Sequence, residues 1–253
     1  MKKFYTLLKY EIYKLMVSPA TYIIALIFML SIGGIFAFLL YDYIKFEQDV
    51  PLVQMFYRCF WLPTCIIVPL LSMRSFSEEY KYGTFHSLFS VPISCAEVVL
   101  AKFLATYGMF IFLWLCSWSL FLAVGFKSGS IVHEIAFASQ FNIGGGLLFI
   151  AITGLLFVAI GIFASSLTEN QIVSCTLTFF LLLVLFIGGQ FFADRSQISN
   201  LNLYGTYQES LNIFSQLDNF CNGVFDTRLV VFYLSTCKLT LCFSAAAVQE
   251  KIS

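Results

Sequence analysis

The sequence predicts an all-α, polytopic membrane protein with six transmembrane helices. Three observations carry that prediction. The first is composition: of 253 residues, 60% are hydrophobic, 18% aromatic and only 11% charged, with a mean hydropathy of +0.88. A soluble domain is roughly a quarter charged, and a chain this poor in charge cannot cover its surface in water. The second is six apolar runs of about 20 residues, the length needed to cross about 30 Å of hydrocarbon as a helix. The third is the basic residues, which divide unevenly between the two sides that six crossings would create.

The six spans are expected at about 21–41, 53–73, 104–125, 143–166, 172–192 and 228–248. Ahead of the first, MKKFYTLLKYEIYKLMVSP sets Phe4, Leu7, Leu8, Ile12, Leu15 and Met16 at helical spacing. Lys2, Lys3, Lys9, Glu11 and Lys14 fall largely on the other side, so this stretch reads as an interfacial helix whose lysines reach the headgroups. Pro19 then ends it and turns the chain into the bilayer. The second span contains Pro63 and Pro69. The fourth carries Gly144, Gly145, Gly146, Gly154 and Gly161, with Gly161 and Ser165 four apart as a small-xxx-small pair. That spacing lets backbones approach, so Gly154, Gly161 and Ser165 are candidate packing positions at the centre of the bundle. The sixth is the weakest span because Lys238 sits near its middle.

With the N-terminus inside, the inner segments hold Lys2, Lys3, Lys9, Lys14, Arg74, Lys81, Lys102 and Lys251, against Lys45, Lys127, Arg195 and, at a boundary, Arg228 outside. Eight against four puts both termini in the cytoplasm. Arg58 and Lys238 fall within spans, where desolvation is costly and an ionisable group is a candidate functional residue. Arg58 lies about five residues from the outer end of its span, near enough to snorkel. For Lys238 two readings stand: pairing within the bundle, or a misplaced sixth span.

Several chemistries are disfavoured. The net charge is zero, which gives no reason to expect a nucleic-acid partner. No phosphate-binding G-x-x-x-x-G-K-[ST] loop occurs, so no nucleotide-hydrolysing site is expected on this chain. His86 and His133 fall on opposite sides of the predicted membrane, which argues against a histidine-based catalytic or metal site. The eight cysteines lie mostly in apolar runs and read as small buried hydrophobes. No catalytic, cofactor-binding or metal residue is predicted, nor a cleavable signal peptide.

One segment differs from its surroundings. RSFSEEYKYGTFHSLFSVPISCAEVVLAKFLA, residues 74–105, is polar and punctuated where its neighbours are hydrocarbon. It begins acidic at Glu78 and Glu79, breaks at Gly83, and continues through Phe85, Leu88 and Phe89 before Pro92. Thr84 or Ser87 suits a helix cap and Pro92 a helix end. A plain connecting loop has no need of that apolar ridge, so the segment reads as a docking element on the cytoplasmic face.

The stretches KYEIYKLMVSPATYI (9–23), EEYKYGTFHSLFSVPISCAEVVLAKFLA (78–105), SSLTENQIVSCTLTFF (165–180) and GVFDTRLVVFYLS (223–235) resemble recurring segments of ABC-2 type transporter permeases, most nearly the bacterial gliding-motility exporter permeases. The resemblance implies a six-span subunit of a bacterial inner-membrane exporter, with an N-terminal elbow helix and a coupling helix between spans two and three. It also implies pairing with a second permease chain, identical or related, and with separate cytoplasmic ATPase subunits that bind the ATP and Mg. Carried over, Glu78, Glu79, Tyr80, Gly83, Thr84, Leu88 and Pro92 form the coupling region. The sequence departs from the pattern at Ala101, where many relatives have glycine, and at Lys238. The rival readings are a stand-alone secondary carrier, a membrane-embedded enzyme, or an assembly or immunity subunit that moves no cargo. The residues name no substrate.

Overall fold

The computed structural model describes residues 2–45, 51–83, 94–127, 140–196 and 212–251, and among them every regular element is an α-helix. Ten helices follow in order: α1 (Lys2–Val17), α2 (Pro19–Lys45), α3 (Leu52–Arg58), α4 (Trp61–Ser72), α5 (Ser77–Tyr82), α6 (Cys95–Lys127), α7 (Gln140–Leu167), α8 (Gln171–Ser196), α9 (Ile213–Cys221) and α10 (Thr227–Glu250). Five of them, α2, α6, α7, α8 and α10, are each long and apolar enough to cross a membrane, and the bent pair Leu52–Arg58 and Trp61–Tyr82, which takes in α3, α4 and α5, makes a sixth crossing if taken as one span.

The bounds differ from the sequence expectation in instructive ways. α6 begins at Cys95, nine residues before the apolar run at Leu104, because Glu97 in its first turn and the Ser94 side chain hydrogen-bond each other's backbone N–H groups. That reciprocal arrangement satisfies donors at the helix start that have no intrahelical partner. Ser18 alone separates α1 from α2, and Pro19 takes the first helical position, where its missing N–H costs nothing. Span two is bent by 45° between α3 and α4. The break falls at Cys59 and Phe60, so Pro63 lies in the first turn of α4, while Pro69 is inside it. α10 runs unbroken through Lys238.

The centre of the bundle is α7, which packs against α10, α8, α9, α6 and α4. Three of its small residues set how close the neighbours come. A Cβ added to Gly154 would run into the ring of Phe110 on α6, and one on Gly161 would lie 2.6 Å from the Ser72 Cβ on α4. At the other end of α7, a Cβ on Gly145 would collide with the backbone of Phe220 on α9. Phe28, Phe60, Phe110, Trp114, Phe149 and Phe157 fill the space between helices. Most meet edge to face, as with Phe28 and Trp114 at 5.5 Å between centroids, the arrangement the ring quadrupole prefers.

α1 lies against the start of α6. Its inward face is Phe4, Leu7, Leu8, Glu11, Lys14 and Leu15, and Glu11 is buried there. Ile12 and Met16, expected on the apolar face, are exposed together with Tyr5, Tyr10 and Tyr13. The expected polar side thus loses Glu11 to the packed face.

Candidate functional site

Arg74, Glu78, Glu79 and Lys102 from the 74–105 segment come together with Glu11, Lys14 and Ser18 at one end of the bundle. The focus is α5, six residues long, whose acidic first turn carries Glu78 and Glu79. Gly83 ends it in the left-handed region at φ +68°, with its N–H bonded to the Glu79 and Tyr80 carbonyls. Only glycine takes that conformation without strain, so the break at Gly83 is a backbone requirement.

Glu79 is buried and points into the molecule. Its Oε1 accepts from Lys102 Nζ at 2.5 Å, and the same ammonium donates to Glu11 Oε1 at 2.9 Å. Lys14 Nζ stands 3.5 Å from Glu79 Oε1. Two carboxylates from α1 and α5 therefore share one lysine from α6 whose side chain is 1% exposed. The ammonium also lies 5.2 Å from the Phe76 ring centroid, a cation–π contact that further offsets its desolvation.

The same short helix is held from three more sides. Ser165 Oγ on α7 accepts from the backbone N–H of Phe76 and Ser77 at 3.0 and 3.3 Å, two donors at the start of α5 that have no intrahelical partner. Arg74 donates to Ser18 Oγ at 2.8 Å and to Glu78 at 3.3 Å, joining the turn before α5 to the α1–α2 corner. Lys251, just past α10, sits 4.0 Å above the Tyr80 ring and donates to the Leu167 carbonyl at the end of α7. Burial, assisted by Glu79 and Glu169, holds the Tyr80 phenol well above its ordinary range, so it stays neutral. α5 is thereby fastened to α1, α6, α7 and the end of α10. A cavity of about 150 Å³ lies beside the cluster, lined among others by Lys14, Ser18, Arg74 and Thr106.

Of the residues singled out in the coupling segment, Glu79 faces inward, Glu78 and Tyr80 are half-buried, and Gly83 is exposed. Thr84, Leu88 and Pro92 lie outside the described residues. What α5 presents outward is Lys81 and Tyr82. The residues that sequence reasoning did not assign to the junction are Glu11, Lys14, Ser18, Lys102 and Lys251. One signal was present: Glu11 occupies the same helical face as Phe4, Leu7, Leu8 and Leu15, a register in which a carboxylate needs a buried cation.

The opposite end of the bundle holds a second charged contact. α9 is amphipathic, with Ile213, Gln216, Leu217, Phe220 and Cys221 buried, and it rests on α7 and α3. Its Asp218 accepts from Arg58 Nε and Nη2 at 2.9 and 2.7 Å and from Gln54 Nε2 at 2.9 Å. Arg58, the last residue of α3 before the bend, is held by a two-pronged ion pair. Burial, helped by Asp218 and opposed by Arg58, pushes the neighbouring Cys221 thiol up to about 12. Lys238 is exposed from α10 and has no ion pair among the described residues. The helix runs through it without a break.

Among the described residues no group of three or more His, Cys, Asp or Glu is placed to hold a metal ion. A buried charge cluster and a set of backbone contacts join one short helix to α1, α6, α7 and the end of α10. A family profile described as ABC-2 family transporter protein matches residues 7–185, a stretch that includes most of α1, all of α5 and the Glu11–Lys102–Glu79 cluster. A search of curated proteins finds no match. The apolar spanning helices and a profile that covers well over half of the sequence give one conclusion: this chain belongs to the ABC-2 transporter family and is a multi-pass membrane component of a transporter.

Proposed function

We propose that this chain is the permease subunit of an ATP-driven exporter in a bacterial inner membrane, both termini cytoplasmic, and that α5 with the residues after it is where a separate ATPase engages it. The ATP and Mg belong to that partner, and a second permease chain completes the path. The observation that carries the reading is the sharing of Lys102 by Glu11 and Glu79. A six-residue helix cannot hold its own shape in water, yet this one is bound by side chains from four other elements. A push on α5 is then delivered to α1, α6 and α7 together, as a rigid-body shift between packed arrangements. The cavity beside the cluster gives Arg74 and Lys14 room to change partners during that shift. The four segments at 9–23, 78–105, 165–180 and 223–235 support the gliding-motility exporter permeases as the subgroup it resembles most.

The test is co-purification from native membranes in mild detergent. Lys81→Glu with Tyr82→Ala alters the outward face of α5, and Gly83→Pro denies the backbone its positive φ. A P-loop ATPase should accompany the wild type and be lost from these variants while they remain inserted. Export activity that persists without any ATPase would overturn the reading.

A further inference from the structure

The face of α10 that turns away from the bundle has its own chemistry. Tyr233, Cys237, Ser244 and Val248 are buried against the neighbouring helices. On the other side Ser235, Lys238, Cys242, Ala246 and Gln249 are exposed, at spacings of three, four, four and three, which places them in one stripe along the helix. Bulky Phe232, Leu239 and Phe243 stand on one side of that stripe and Leu234 on the other.

Lys238 is 11 residues after Thr227 and 12 before Glu250 in a 24-residue span. At 1.5 Å per residue it is roughly 17 Å from either end, beyond the reach of a lysine side chain to the headgroups. An ammonium at that depth requires a counter-charge or a polar cavity. Ser235 Oγ already donates to the Phe232 carbonyl, and Lys238, the charged residue of the stripe, has no ion pair among the described residues.

A second copy of this chain does not supply one. Among the described residues no acidic side chain falls in the middle of a spanning helix. The nearest to a span interior, Asp42, Glu97 and Asp194, are each within three residues of a helix end. Two copies meeting through this stripe would instead set lysine near lysine in hydrocarbon. A resident anionic lipid keeps its charge at the surface, far from this depth. Small residues at 235, 242 and 246 let another helix come close, as helices do in lipid.

We infer that the Ser235–Lys238–Cys242–Ala246 face of α10 docks a membrane helix of a different polypeptide, which carries an Asp or Glu at the bilayer midplane to pair with Lys238. The pairing is separate from the ATPase contact at the other side of α5 and stands or falls independently of it. Because Lys238→Leu removes a charge from an apolar surface, the variant folds, and an unchanged melting temperature in detergent verifies this.

The experiment places a photo-crosslinking amino acid at Leu234 and at Leu239 in the intact transporter in native membranes. The expected result is a discrete adduct with a second polypeptide that has an acidic residue within a membrane span. Its yield should fall at least about tenfold in Lys238→Leu, the scale of a lost buried charge pair, and survive in Lys238→Arg. Lys238→Asp combined with lysine in place of the captured chain's acid should restore it. No adduct, adducts only with lipid or with a second copy, a captured chain lacking an intramembrane acid, or a charge swap that fails to restore the yield would each overturn the inference.

Discussion

The two ends of this bundle each carry an ion pair, and the pairs are built on opposite terms. At the α5 end, Lys102 is 1% exposed and its two carboxylates 6% each. At the α9 end, Arg58 is 46% exposed and Asp218 24%. The geometry is good in both, so burial decides what each is worth. A charge removed from the first leaves others stranded without water; a charge removed from the second is largely replaced by solvent. The costly polar cluster lies where three helices from distant parts of the sequence meet, and the cheap one where a short helix covers a bend.

Lys102→Met should break that contrast most sharply. It strands Glu11 and Glu79 together, and a loss of about 3–5 kcal/mol is expected for a broken buried cluster, read as a large drop in thermal melting in detergent. Replacing all three residues with apolar ones, Glu11→Leu, Lys102→Met and Glu79→Leu, should recover most of that stability, because no charge is left unpaired. If the cluster serves transmission, the triple variant will be stable and still fail to export. If it serves only folding, export will return with stability.

Next in size is Ser165→Ala, which withdraws the acceptor from the Phe76 and Ser77 N–H groups at the start of α5. Buried donors left unsatisfied cost about 1–3 kcal/mol. Hydrogen exchange at those two amides should speed up while the centre of α7 stays protected.

Asp218→Asn should change overall stability by about 1 kcal/mol or less, since the pair it breaks is half screened. Its effect should be local. With Cys221 as the sole cysteine, the thiol pushed up to about 12 should be labelled slowly by maleimide at pH 8, where almost none of it is thiolate. Asp218→Asn or Arg58→Ala should hasten that labelling as α9 loosens. Equal global destabilisation from Asp218→Asn and Lys102→Met would refute the contrast between the two ends.

Legibility in the sequence followed the same division. Helical spacing along α1 was visible, yet Glu11 was grouped with the lysines by charge rather than with Phe4, Leu7, Leu8 and Leu15 by register. Its true neighbour, Lys102, lies 91 residues away, and nothing local ties the two. Arg58 and Asp218 are 160 residues apart, so the pairing of this arginine could not be read from its neighbours along the chain. The Gly83 break was readable because a glycine between polar and apolar stretches changes the backbone itself.

Sequence by itself determined that the chain lives in a membrane, roughly where it crosses, and that residues 74–105 differ from the spans. These depend on hydrophobicity and chain length, which are local sums. It also carried the family resemblance, distributed over many short segments. Only the tertiary structure decided that Glu79 faces inward, that one lysine serves two helices, and that Lys238 points away from its own bundle. Those facts depend on which helix faces meet, and facing is set by packing between residues that the chain order keeps far apart.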